Sequence, residues 1–247
     1  MRLAYRIAVS VMLLSQFCFA QSPLDKIWKS ATSAGSNASV GSLSTDKITA
    51  GLKEALKIST SKAVAETGKP DGFLKNPSIK IPLPQKIQSA GKGLRLIGMG
   101  PQLDQLEVGM NRAAEQAAPE ARQIFLNALT RMTINDARNI LKGSDTAATE
   151  YFRNASSADL TTAFAPIVHK QLLNVGVVKQ YDQLKQNPMA GTFLQSKQFD
   201  LDSYVVGKTL DGLFYMLGQE EKQIRKNPAA QTTTLLREVF GKIQAGN

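Results

Sequence analysis

The sequence predicts an all-α fold, an irregular multi-helix bundle around a buried C-terminal helix, and three features lead there. Apolar residues recur at three- and four-residue spacing through most of the chain after residue 44. Capping residues, glycines and prolines punctuate that pattern at helical lengths. Only residues 78–83 alternate with period two, and Pro82 and Pro84 confine them to a short extended strap.

The predicted centre of the bundle is the segment Leu201 to Arg225. Leu213, Phe214, Tyr215, Met216 and Leu217 make it apolar on every side, the pattern of a helix enclosed by its neighbours. Asp200 or Asp202 would cap it, and Asn227-Pro228 would end it. Gly207, Gly212 and Gly218 each cost a helix roughly 1 kcal/mol relative to alanine. Close packing, or a ligand, is expected to compensate.

Taken in order, residues 45–67 form a helix on Ile48, Leu52, Leu56 and Ala63, stopped by Gly68. Pro70-Asp71-Gly72 and Asn76-Pro77 turn the chain before the strap. Helices follow over 85–97 and from Pro101 to Ala117, and another runs through Phe125 to Met132 after Pro119. Thr133 and Asp136 have the spacing of a capping box. One helix is predicted through Tyr151 and Phe152, and a separate one after Ser156-Ser157, bent at Pro166 and stopped by Gly176. Residues 177–186 and 232–243 supply two more.

The first twenty residues read as a signal peptide: basic Arg2 and Arg6, apolar Ile7 to Leu14, and a small-x-small site ending at Ala20. Cleavage after Ala20 and a periplasmic destination are expected. Residues 21–44 should hold a short helix with Trp28 and a flexible Ser/Gly/Ala-rich tether, leaving 45–247 as a single all-α domain. No later segment is long and apolar enough for a transmembrane span. Loss of Arg2 and Arg6 lowers the net charge from +10 to +8, and the single cysteine, Cys18, leaves too. Thiol chemistry and disulfides are thereby excluded from the mature chain. The positive balance favours an anionic partner, a lipid headgroup or an envelope polymer, and export argues against nucleic acid.

Four stretches, GKPDGFLKNPSIKIPLP at 68–84, NRAAEQAAPEAR at 111–122, FDLDSYVVGKTLDGLFYM at 199–216 and KNPAAQTTTLLREVFG at 226–241, resemble one bacterial family, domain of unknown function 4197. The resemblance covers residues 45 to 241. It implies an exported bacterial protein and brings no activity, cofactor or catalytic residue.

Among the residues themselves no catalytic set stands out. His169 is the one imidazole, so nucleophile–histidine pairs and Cys/His metal sites lack members, and no cofactor or metal is expected. His169 itself reads as a surface or partly packed residue. Asp200 and Asp202 are better explained by capping than by a cation, which wants more oxygens. A carboxylate-based hydrolase would have to draw on Glu115 with Glu120, or Asp202 with Asp211. Asn111, Arg112 and Glu115 form a polar group in an alanine-rich helix, read as a solvated ion pair or as a contact between helices. Tyr204, Lys208 and Asp211 share one stripe of the C-terminal helix and would need partners if buried.

The clearest asymmetry of charge is Lys75, Lys80, Lys86, Lys92 and Arg95, with no acid from Gly72 to Leu103. These five are the candidate partner-binding residues of a non-enzymatic binding protein. The alternative is a carrier of an apolar molecule or lipid in a pocket beside Gly207, Gly212, Gly218, Phe214 and Met216.

Overall fold

The fold is all-α. In the computed structural model the described residues are 45–174, 176–186, 188 and 200–227. The expected signal peptide, the tether and the helix over 232–243 lie outside them. Eight α-helices follow in order among the described residues: α1 Thr45–Gly68, α2 Gln85–Leu96, α3 Gly100–Ala117, α4 Ala121–Arg131, α5 Ile134–Lys142, α6 Ala147–Asn174, α7 Val177–Gln186 and α8 Leu201–Lys226. All belong to one compact unit, Leu43–Asn247. No strand occurs among them; the strap between α1 and α2 is turns and extended backbone.

The local signals explain most boundaries. Thr133 and Asp136 complete a capping box at the start of α5, each bonding the other's backbone N–H. Asp200 caps α8 by accepting from the Asp202 N–H, and α8 ends at Asn227. Pro119 lies in a single 3-10 turn, Ala118–Glu120, which separates α3 from α4. That turn packs on the end of α1, where a Cβ on Gly68 would stand 2.9 Å from Pro119 Cγ.

One boundary differs from expectation. Residues 147–174 form one continuous helix, α6, and Ser156-Ser157 caps nothing. Ser156 is buried in the helix interior, and the Ser157 hydroxyl donates back to the Arg153 carbonyl at 2.6 Å. Ser157 satisfies itself this way while the buried Ser156 hydroxyl has no partner among the described residues, so the capping preference yields to the buried face of Phe152, Leu160, Phe164 and Val168 around it. Pro166 sits inside the helix without ending it.

The centre of the core is aromatic. Phe125 of α4 meets Phe152 of α6 edge-on at 5.1 Å and Phe214 of α8 at 6.0 Å, favourable geometry for ring quadrupoles. Helix α8 packs against α6, α1 and α3 and buries Val205, Leu213, Phe214 and Leu217. It is not enclosed on every side. Ser203, Gly207, Asp211 and Tyr215, spaced four apart, are exposed, and Tyr215 is 43 % accessible. The apolar run at 213–217 therefore includes one residue of an otherwise solvated stripe.

The three glycines of α8 have different surroundings. At Gly212 a Cβ would stand 2.5 Å from the Phe73 ring and 3.1 Å from Ile79 Cβ, so the strap lies directly on the bare helix backbone. At Gly218 the nearest atoms, from Thr146 and Thr149, are at ordinary contact distance, and at Gly207 a Cβ would meet nothing. Gly212→Ala should thus destabilise the protein by about 1–3 kcal/mol through overpacking. Gly207→Ala should stabilise it by about 0.5–1 kcal/mol through helix propensity. Urea titrations of the two variants measure these opposite signs directly.

Candidate functional site

The strap and α2 carry the cationic run, and buried polar side chains of α3 fix the strap in place. Glu115 is 3 % accessible, and its Oε1 accepts from the backbone N–H groups of Phe73 and Leu74, both at 3.1 Å. Arg112 donates to Glu115 Oε2 at 2.6 Å and to Asp71 Oδ1 at 2.6 Å. One turn earlier, Asn111 is fully buried and accepts from the Ile81 N–H at 2.8 Å while donating to the Ile81 carbonyl at 2.9 Å. Its amide thus pairs with the strap as a neighbouring β-strand would, which lets extended backbone lie on a helix without unsatisfied groups. Tyr204 of α8 adds a bond from its hydroxyl to the Pro82 carbonyl at 2.9 Å, and burial pushes its phenol pKa up.

The group at Asn111, Arg112 and Glu115 is therefore neither a solvated pair nor a helix–helix contact. The i,i+3 pair of Arg112 and Glu115 exists, but the glutamate is buried and its other oxygen holds the strap. The turn feeding this arrangement requires unusual backbone. Asp71 adopts a φ of +65°, and a Cβ on Gly72 would fall 2.3 Å from the Glu66 carbonyl oxygen. Asparagine and aspartate tolerate the left-handed region better than most residues, which suits Asp71 to this position.

Lys75, Lys80 and Arg95 of the candidate cations meet acids. Lys75 meets Asp71 at 2.7 Å, Lys80 meets Glu107 at 3.0 Å, and Arg95 meets Asp104. Hydrogen bonds from Lys75 and Arg112 hold the Asp71 carboxyl below its ordinary pKa, and Arg95 does the same for Asp104. Lys86 and Lys92 are exposed on α2, which carries no acidic residue. That helix inserts Ile87 and Leu94 into the core, with Ala90 half-buried against it, and packs mainly on α3. The net positive character of the run thus gathers on the outer side of α2.

The remaining candidates disperse. Lys208 and Asp211 form an exposed pair at 3.4 Å, and Arg153 lies 3.9 Å from Asp211 while its guanidinium covers the Phe214 ring at 4.5 Å. Asp202 and Asp211 lie nine residues apart on α8, hence on opposite faces and about 13.5 Å apart along the axis. Glu120 is exposed in the 3-10 turn, whereas both oxygens of Glu115 are engaged. His169 is exposed and its Nδ1 lies 2.6 Å from Asp202 Oδ2, a pairing across thirty-three residues that no local pattern announces. Among the described residues no three His, Cys, Asp or Glu side chains converge as a metal site. Of the glycines considered for a pocket, Gly212 is filled by Phe73 and Gly207 faces outward.

Sequence reasoning missed Glu221. It is 4 % accessible and accepts from the N–H groups of Ala148 at 2.9 Å and Thr149 at 2.8 Å, and from the Thr149 hydroxyl at 2.8 Å. It thereby satisfies the first amides of α6 and places a negative charge at that helix's positive end. Arg225 bonds Glu221 Oε1 at 3.0 Å and the last-turn carbonyl of Ile140 at 2.7 Å. A Glu-x-x-x-Arg spacing at 221 and 225 was the available signal, but it equally describes a surface pair.

Two measurements check this architecture. Asn111→Ala leaves the Ile81 N–H and carbonyl buried without partners, so stability should fall by about 2–4 kcal/mol. Amide exchange at Phe73, Leu74 and Ile81 should accelerate before that of the α6 core. Second, Asp71, Asp104, Asp136, Asp145 and Asp200 all have folded pKa values below the usual aspartate value. Their stabilisation is complete above the unfolded value near 3.8 and is lost as pH falls through the lower folded values. Denaturant midpoints should thus decline below about pH 4, and Asp71→Asn should make that decline shallower while lowering the neutral plateau.

Comparison with known proteins adds one match. No curated protein and no solved structure matches the chain. A family model described as Protein of unknown function (DUF4197) matches residues 42–241. That span contains the strap, the buried Asn111 and Glu115, and α8. The chain belongs to the DUF4197 family.

Proposed function

We propose that this chain is an exported, periplasmic, non-enzymatic binding protein whose cationic face meets an anionic envelope partner, a lipid headgroup or a polymer. The observation that carries this reading is α2. Its outer side bears Lys86, Lys92 and Arg95, the helix has no acid of its own, and it stands at the edge of the bundle. A peripheral helix held by two apolar anchors can present its cations to a flat or extended anion without disturbing the core. The face centres on exposed Lys86 and Lys92, since Lys75 meets Asp71, Lys80 meets Glu107 and Arg95, on its margin, meets Asp104.

Sedimentation of the chain from Gln21 onward with isolated peptidoglycan and with vesicles of phosphatidylglycerol and phosphatidylethanolamine tests this. Binding to at least one should weaken with salt. The double variant Lys86→Glu, Lys92→Glu should bind roughly thirtyfold less, at about 1 kcal/mol per lysine lost. Binding unchanged by salt and by the double reversal overturns the reading.

A further inference from the structure

Helix α2 ends in a turn whose geometry separates two sets of apolar side chains. The Gly98 N–H donates to the Arg95 carbonyl at 3.1 Å and the Met99 N–H to the Leu94 carbonyl at 2.9 Å. With Gly98 at a φ of +85°, these two bonds make a Schellman motif, which closes the helix in one defined conformation. Leu94 is buried and Met99 packs on the core, so the motif is anchored from beneath. Leu96 and Ile97, lying between them, point away: Leu96 is 88 % accessible and Ile97 47 %, and neither belongs to the core. A single exposed leucine means little. Two adjacent large aliphatic side chains held out on a closed turn are a different matter, because the turn removes their freedom to fold back.

The helix adds charge beside them. At 100° per residue, Gln85, Ser89, Lys92 and Leu96 fall along the outermost line of α2, opposite buried Ile87 and Leu94, with Lys86 and Arg95 on the two flanks. A lysine one turn behind an exposed leucine suits an interface where phosphates lie about level with the ammonium and hydrocarbon lies just beyond.

We propose that the α2–α3 turn is a membrane-docking tip: Leu96 and Ile97 enter the headgroup–acyl boundary of an anionic phospholipid bilayer while Lys86 and Lys92 contact lipid phosphates. This rests on the cationic-face reading above and selects the bilayer over the polymer, since a hydrated polymer offers no hydrocarbon to receive two aliphatic side chains. No helix among the described residues is long and apolar enough to cross a membrane, so the contact is interfacial.

The test compares the chain from Gln21 onward with the variants Leu96→Asp/Ile97→Asp and Lys86→Glu/Lys92→Glu made in it. Each is floated with phosphatidylglycerol–phosphatidylethanolamine vesicles, with phosphatidylcholine vesicles, and sedimented with peptidoglycan. The aspartate variant should stay folded, because Leu96 is 88 % accessible, Ile97 is 47 % accessible and neither is among the core residues. It should bind anionic vesicles about tenfold or more weakly, from the loss of two buried aliphatic groups. Charge reversal should weaken anionic-vesicle binding as well, and phosphatidylcholine should bind least. Vesicle binding unaffected by Leu96→Asp/Ile97→Asp overturns the tip. Parental binding to peptidoglycan alone overturns the bilayer and leaves the cationic face standing, and binding to neither removes both. A parental dimer that the aspartate variant dissolves would mean a second copy covers the tip, and the bilayer inference falls.

Discussion

A carboxylate sunk among alanines is the constraint on which much of this protein rests. Helix packing can cover apolar side chains, but it cannot satisfy a non-helical backbone that crosses a helix. The strap between α1 and α2 is such a backbone. Glu115 answers the N–H groups of Phe73 and Leu74, and Asn111 answers both polar groups of Ile81. With those groups satisfied, Phe73 and Ile79 can be driven onto the bare backbone of α8 at Gly212. Ala113, Ala114 and Ala117 keep α3 slim enough for its neighbours to close around it.

The same solution appears a second time. Glu221 receives the first amides of α6 as Glu115 receives the strap, and each carboxylate is balanced by an arginine on its own helix, Arg225 or Arg112. In both cases the arginine also reaches beyond its glutamate, to Ile140 or to Asp71. Buried ion pairs seldom add stability over a well-packed apolar substitute, because desolvation offsets the attraction. Here each carboxylate meets backbone donors that would otherwise be buried unpaired, so the relevant comparison is with orphaned amides. The two glutamates tie the outer segments to the aromatic centre at Phe125, Phe152 and Phe214.

Charge read along the chain and charge read in space diverge for an identifiable reason. Residues 72–103 contain five cations and no acid, yet acids from just outside that window fold back onto it. Asp71 precedes the run and meets Lys75 four residues on, whereas Asp104 and Glu107 follow it and the hairpin of α2 and α3 returns them to Arg95 and Lys80. A linear window cannot see partners contributed by the returning helix. Exposed Lys86 and Lys92 mark the outer side of α2, a smaller surface than the run suggested.

Fold class, most helix ends, the capping box at Thr133, the cap at Asp200 and the strap near 78–83 were all legible in the residues, because propensity, periodicity and turn chemistry are local. The apolar run of α8 misled about Tyr215, and Ser156-Ser157 about a helix break, since burial on one face of a long helix overrides a capping preference. The roles of Glu115, Asn111, Glu221 and Gly212, and the pairing of His169 with Asp202, were decided only by tertiary structure. Each depends on a partner between thirty and one hundred and forty residues away in sequence, and local pattern carries no record of which distant backbone will need a donor, an acceptor or an empty space.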